Sequence, residues 1–370
     1  MKRPVIARSA ATKQSVCNIK IASPPKNVAD RNDGSRKILI TGGAGFIGSA
    51  LIKLWLKLDA EIHIVNFDKL TYCGDLSRLK EVESNPRYEF FQGDVCRREH
   101  VEKALHGCSA VVHLAAETHV DRSLLDGKIF FDTNVFGTYQ LLEAARQKNI
   151  QKFLFVSTDE VYGSREKGFF KETDRLTPSS PYSVSKTAAD LLTLSTAAAY
   201  GMHALVTRGS NTYGPYQYPE KVIPLFVSNA LAGQKLPLYG DGQQVRNWLH
   251  VEDHCRAIIH VFNQGKAGEV YNISTPFYRS NIELTKRLLK ILGQPESLIE
   301  KVKDRVGHDR RYAIDSKKIR GLGWKERFPF EQSLTETVLW YRDNQVWWKG
   351  IKEKGNEFKE YYSKVYAQRD

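Results

Sequence analysis

The chain predicts an α/β fold in which a doubly wound parallel sheet, covered by helices on both faces, is followed by a smaller α+β portion. Three observations predict it. Short β-rich apolar runs alternate with stretches of helical period from residue 37 to about 210, the pattern of repeated β-α-β units. The turn Gly42-Gly43-Ala44-Gly45-Phe46-Ile47-Gly48 joins the first run to the first helical stretch, where a Rossmann-type sheet carries its dinucleotide-binding loop. After Gly214-Pro215 the rhythm breaks, with Pro219, Pro224, Pro237 and the turn Gly240-Asp241-Gly242.

In chain order, 37–41 is a β-rich run and 49–58 carries apolar residues at helical spacing. A second strand over 61–67 ends at Asp68, completing one β-α-β unit. Strands over 88–92 and 110–114, a helix around 134–148, a strand over 152–157, a helix over 183–200 and a strand over 204–208 continue the alternation. The expected organisation is a disordered basic leader over 1–36, a dinucleotide-binding Rossmann domain over 37–210, a mainly substrate-binding α+β portion over 211–350, and a C-terminal tail over 351–370.

Composition bounds the function. A chain of 370 residues, 41% apolar and with mean hydropathy −0.43, can bury a full core and does not have the composition of a helical membrane protein. Of the net charge of +13, residues 1–36 hold eight bases against two acids. The remaining excess is modest and suits a polyanionic small molecule such as a nucleotide. No basic stripe interleaved with aromatics marks a nucleic-acid surface, and no membrane partner is expected. The leader lacks the apolar run of a secretory signal, so a cytoplasmic location is expected, with an organelle transit segment as the alternative. Cys17, Cys73, Cys96, Cys108 and Cys255 are odd in number and widely spaced, which reads as free thiols in a reducing compartment and no metal site.

The glycines of the 42–48 turn let backbone N–H groups approach a pyrophosphate at the start of a helix. Asp68, about twenty residues on, is placed to accept from ribose hydroxyls and would repel a 2′-phosphate, which favours NAD over NADP. Asp94 either reaches an adenine edge or caps the following helix. Tyr182 and Lys186 stand four apart at a helix start and share a face. An adjacent ammonium and a positively charged nicotinamide are together expected to lower the phenol pKa, so that the pair can take a proton from an alcohol as hydride leaves. Alone, such spacing is equally that of a surface pair, but Ser157-Thr158 ends a strand upstream, behind a dinucleotide loop.

On the 41–48 turn and Tyr182-x-x-x-Lys186 the chain resembles the extended short-chain dehydrogenase/reductase family. Within it, the chain looks like the dTDP-glucose 4,6-dehydratases from about residue 37 to 348. The closer likeness runs through Asp68-Lys69-Leu70-Thr71-Tyr72, Ala115-Ala116-Glu117-Thr118-His119-Val120-Asp121, Ser157-Thr158-Asp159-Glu160-Val161-Tyr162-Gly163, Tyr213-Gly214-Pro215 through Lys221, Tyr239-Gly240-Asp241-Gly242 through Arg246, and His308-Asp309-Arg310-Arg311-Tyr312. The resemblance implies Thr158, Asp159, Glu160, Tyr182 and Lys186 as catalytic residues. Tyr182 would deprotonate the glucose C4 hydroxyl, Glu160 would take the C5 proton and Asp159 would protonate the departing C6 hydroxyl. Side chains alternate along a strand, so Asp159 and Glu160 must then lie on a bend at its end.

For NAD, the resemblance implies Gly42, Gly45, Phe46, Ile47, Gly48, Asp68, Lys69, Thr71, Asp94, Val95, Ala115, Ala116 and Thr133, with Tyr182 and Lys186. For a nucleoside-diphosphate hexose, most closely dTDP-glucose, it implies Thr118, His119, Thr158, Asn211, Lys221, Pro237, Tyr239, Arg246, Asn281, Arg305 and His308. It also implies a homodimer. Two departures from the family pattern stand out: Thr212 follows Asn211 where a second Asn is usual, and Val306 stands where Pro is usual in Asp304-Arg305-Val306-Gly307-His308. A UDP-sugar dehydratase, or an epimerase or decarboxylase on the same fold, is the alternative; the last two need neither Asp159 nor Glu160. His250 and His254 read as helix-surface or packing residues, and Trp340, Trp347 and Trp348 as core or dimer anchors.

Overall fold

The structure, a computed structural model, describes residues 36–366. The expected leader, with Cys17, lies outside the described residues except for Arg36, which opens the first strand. Strands β1 (Arg36–Thr41), β2 (Ile62–Asp68), β3 (Tyr88–Gln92), β4 (Ala110–His113), β5 (Lys152–Thr158) and β6 (Ala204–Gly209) alternate with helices. These helices are α1 (Phe46–Leu58), α2 (Arg98–Ala104), α3 (Val120–Leu125), α4 (Thr138–Gln147) and α5 (Pro181–Tyr200). Beyond them come β7 (Asn211–Tyr213), α6 (Val222–Leu231), β8 (Leu236–Tyr239), β9 (Val245–His250), α7 (Val251–Gln264), β10 (Val270–Ile273), β11 (Tyr278–Ser280), α8 (Asn281–Leu292) and β12 (Ile299–Val302). Helices α9 (Phe330–Asp343), α10 (Gln345–Lys354) and α11 (Asn356–Tyr366) close the chain.

Seven strands form a parallel sheet in the order β10-β6-β5-β4-β1-β2-β3. The order reverses between β1 and β4, which opens a crevice at the carboxyl ends of the strands. Its central strands are buried on both faces, as parallel strands under two helical layers must be. One apolar core, with Trp55, Leu154 and Ile258, lies under α1 and α7; the other, with Phe153, Leu141 and Ala189, lies under α4 and α5. The sheet takes its last strand and the covering helix α7 from beyond residue 210, so the chain leaves this layer after β6 and re-enters it.

Two small sheets, β11-β9-β7 and β12-β8, pack with α6, α8 and α9 around a third core that includes Tyr213, Phe226, Leu288 and Tyr341. Residues 351–366, set apart in sequence as a tail, belong to this packing: Phe358, Tyr361 and Val365 of α11 are buried. The single helix expected over 134–148 is divided. Phe131–Gly137 form a wide π turn and only Thr138–Gln147 are α-helical. The extra residue in the turn accompanies a buried Asn134, whose amide is tied to the Glu117 backbone and to Ser185. Helix α5 starts under a reciprocal Ser180–Ser183 capping box with Pro181 in its first turn, and ends on left-handed Gly201.

Candidate active site

The loop after β1 is shaped for an anion. Gly42 has φ +71°, and a Cβ there would meet Ala115 N at 2.7 Å. A Cβ on Gly48 would lie 2.2 Å from Gly42 O, so only glycine lets α1 seat against the turn. Helix α1 has Gly45 at its N-cap, no side-chain cap and no acid in its first turn, which leaves first-turn N–H groups and the positive end of the helix dipole facing the crevice. These features fit a dinucleotide pyrophosphate.

Asp68, at the end of β2, accepts from Ala44 N (2.9 Å) and Leu70 N (2.8 Å), and burial pushes its carboxyl pKa up. Asp94 lines the crevice, pairs with Lys69 at 2.8 Å and accepts from Cys96 N within its own loop; it does not cap the following helix, which starts at Arg98 with Arg97 at its N-cap and no side-chain cap. One crevice is lined by Gly42, Gly45, Phe46, Ile47, Gly48, Asp68, Lys69, Thr71, Asp94, Val95, Ala115, Ala116, Thr133, Tyr182 and Lys186, with Thr118 and Thr158. A second cavity is lined by His119, Asn211, Lys221, Pro237, Tyr239, Arg246, Asn281, Arg305 and His308. Glu160, Tyr182, Asn211 and Lys221 line both and form the junction.

The junction is built on the end of β5. The strand stops at Thr158, and Asp159–Tyr162 turn into a 3-10 helix capped by the Thr158 hydroxyl, which accepts from Glu160 N. This is the bend that two neighbouring carboxyls require. Asp159 Oδ2 and Glu160 Oε2 are buried without a hydrogen-bond partner among the described residues. Burial, reinforced by Glu160, pushes Asp159 up to about 8. Burial also raises Glu160, but Arg305, Arg246 and Lys221 all act to hold it ionised. Burial dominates at both carboxyls, and they differ in the charges around them: Arg305, Arg246 and Lys221 act on Glu160, whereas Asp159 faces the Glu160 carboxyl with Arg246 opposing it.

Tyr182 lies in the first turn of α5, bonded to the Thr158 hydroxyl. Lys186 Nζ donates to Val156 O (2.8 Å) over the Phe155 ring, and burial lowers it to about 7. The lowering of the Tyr182 phenol expected from Lys186 is not what the protein's own groups produce. Burial first, then the Glu160 and Asp159 carboxyls, raise it instead, outweighing the Thr158 hydrogen bond that lowers it.

At the sugar side His119 is buried in a strained backbone conformation, φ +123°, its ring 3.3 Å from both Glu220 O and the Tyr361 hydroxyl. Arg246 is buried, donates to Asp309 O (2.9 Å) and lies 4.2 Å over the Tyr312 ring. Several residues escaped the sequence reading. Buried Arg78 donates to Ala44 O (2.8 Å) and Cys73 O (2.6 Å), pinning the glycine turn to the following loop. Asn134 fixes the backbone of Glu117, and Arg122 pairs with Glu220 at 2.7 Å. Only Glu220 and Glu117 stood in a quoted motif; nothing local to Arg78 or Asn134 signals a long-range partner. His254 is buried and bonded to Thr212, His250 caps α7, and Trp347 Nε1 donates to Asp75, in line with structural roles.

A parallel sheet with a glycine turn, a closing Asp and a Tyr/Lys pair at its carboxyl edge defines a dinucleotide-dependent short-chain dehydrogenase/reductase. The profile of the GDP-mannose 4,6 dehydratase family matches residues 39–337, and the chain belongs to this family of nucleotide-sugar dehydratases. The dTDP-glucose 4,6-dehydratase of Neisseria meningitidis is 47% identical over 85% of this chain and 96% of its own length. That of Streptomyces niveus is 46% identical over 85% and 96%. The crystal structure of DesIV, a dTDP-glucose 4,6-dehydratase of Streptomyces venezuelae with NAD bound, superposes with TM-score 0.84 at 45% identity, covering 85% of this chain and all of that one. A UDP-glucose 4-epimerase of Thermus thermophilus, also with NAD, is more distant, at TM-score 0.77 and 29% identity over 83% of this chain and 99% of its own.

Proposed function

We propose that this chain is an NAD-dependent lyase that converts dTDP-glucose to dTDP-4-dehydro-6-deoxyglucose, a step of deoxysugar biosynthesis. The observation that carries the reading is the Asp159–Glu160 pair, with unpartnered oxygens at the junction of two cavities, beside Tyr182 and Lys186. An epimerase or decarboxylase would not need that pair.

In this reading Tyr182 Oη, oriented by Thr158 and assisted by Lys186, takes the proton of the C4 hydroxyl. Bound NAD supplies reversible hydride acceptance, from C4 and back to C6, so no outside acceptor is consumed. With C4 a ketone, the C5 hydrogen is acidic and Glu160 takes it, giving it back to C5 as hydride reaches C6; the proton held by Tyr182 passes to solvent, from which Asp159 is reprotonated. Asp159, protonated near neutral pH, gives its proton to the C6 hydroxyl, which departs as water. Lys221, Arg246 and Arg305 offer cations for the diphosphate, and Pro237, Tyr239, Asn281 and His308 face the nucleoside end. Asp68 and the glycine turn hold the cofactor.

The reading includes a homodimer, supported by Ile129, Phe131, Phe136, Tyr139, Val184 and Leu191, which remain exposed on and around α4 and α5. It also includes a cytoplasmic location, for which the four described cysteines, all free thiols, are the support. The test is incubation of the purified chain and NAD with dTDP-glucose, without added acceptor, and separately with UDP-glucose. Loss of one water from dTDP-glucose alone is expected. No loss from either would refute the dehydratase reading.

A further inference from the structure

Helix α11 supplies none of the reacting groups, yet its side chains reach the second cavity at two places. Tyr366 lines that cavity, its ring near-parallel to Tyr239 (18°) with centroids 5.8 Å apart. Tyr362 backs Tyr366 at 4.8 Å, and Tyr239 in turn meets His308 edge-on at 5.9 Å. Just over a turn earlier, Tyr361 is buried, with its hydroxyl 3.3 Å from His119 Nδ1 and the Arg122 guanidinium 4.5 Å over its ring. Arg122 also pairs with Glu357 at 3.2 Å, so one arginine ties the helix to the segment that carries His119.

Position along the cavity assigns the ends. Glu160, Tyr182 and Lys221 line both cavities and mark the reacting end, whereas Tyr239, His308 and Tyr366 line only the second one, away from the junction. A nucleotide sugar whose hexose lies at the junction and whose diphosphate lies among Lys221, Arg246 and Arg305 directs its base toward the aromatic end. A base is flat and apolar on its faces, and paired aromatic rings offer it contact at little entropic cost.

We propose that α11 is the closing wall of the nucleotide-sugar cavity and that Tyr366, paired with Tyr239, is a specificity-determining residue that packs on the nucleoside base. The proposal deepens the dTDP-sugar reading above and rests on it. Its test uses the full chain loaded with NAD, as wild type, Tyr366→Ala and Tyr366→Phe, titrated calorimetrically with dTDP and with inorganic pyrophosphate. Tyr366→Ala should weaken dTDP about ten-fold, within the range of base–aromatic stacking, and raise KM for dTDP-glucose alike with kcat nearly unchanged. Tyr366→Phe should retain dTDP affinity within about two-fold, since the ring face does the packing, and pyrophosphate affinity should be the same in all three. Equal dTDP affinity in wild type and Tyr366→Ala would overturn the proposal while leaving the dehydratase reading intact. So would a parallel loss of pyrophosphate binding, which would make the residue merely structural. Failure of wild type to bind dTDP would overturn the parent reading and this one with it.

Discussion

Replacing Asp159 by asparagine moves stability and activity in opposite directions, because the same burial that makes the carboxyl an acid also makes it costly. Its pKa is raised from 3.8 to about 8 by burial beside Glu160. At pH 7 the unfolded side chain is ionised and the folded one neutral, so folding takes up a proton. At about 1.4 kcal/mol per pH unit, that costs on the order of 4 kcal/mol at pH 7. A raised folded pKa leaves the native state unburdened below the unfolded value and progressively burdened as pH climbs to the folded one. Asparagine has the same shape and needs no proton. Asp159→Asn should therefore raise Tm by about 5 °C at pH 7, with the gain vanishing toward pH 4. The variant cannot protonate a leaving hydroxyl, so kcat should fall about 10²–10⁴-fold while NAD is retained. Differential scanning calorimetry at the two pH values and initial rates of water loss check both arms. Unchanged Tm at pH 7 with undiminished kcat would refute the reasoning.

Three further perturbations follow from particular contacts. Gly48→Ala puts a Cβ 2.2 Å from Gly42 O; the variant should lose NAD binding in calorimetry and about 1–3 kcal/mol of stability. Arg78→Ala removes the guanidinium that joins the Ala44 and Cys73 carbonyls and leaves Ala44 O with Asp75 N as its donor, and the NAD Kd measured by titration should rise at least about ten-fold as the glycine turn loosens. Arg208 grips Asp190 with two bonds, 2.8 and 2.9 Å, both side chains buried. Arg208→Leu should cost about 3–5 kcal/mol in urea unfolding, and the double variant Arg208→Leu with Asp190→Leu should recover much of it.

The parts legible in sequence are those whose physics is local. The β1-turn-α1-β2 unit is written in a β-rich run, glycines at fixed spacing and an amphipathic stretch, and the structure follows it to within a few residues. The bend at Thr158–Asp159 was legible because alternation along a strand forbids two neighbouring carboxyls on one face. The π turn at 131–137 was not, since its cause is Asn134 reaching the Glu117 backbone, a partner distant in sequence. Strands β7 and β11, of three residues each, have no readable period and exist through pairing with β9. Arg78 and Tyr366 gave no signal for the same reason: a buried guanidinium and a wall tyrosine are defined by what the fold brings to them. The phenol of Tyr182 shows the opposite limit, where the sequence named the pair but burial decided the sign of the shift.

The central claim is an internal oxidation and reduction with elimination of water between them. The most direct test is turnover of dTDP-glucose carrying deuterium at C4, followed by mass and NMR analysis of the product. Loss of one water is expected, with the deuterium recovered at C6 of the same molecule and no net reduction of NAD. Deuterium washed into solvent, retained at C4, or accumulated with reduced cofactor would contradict it.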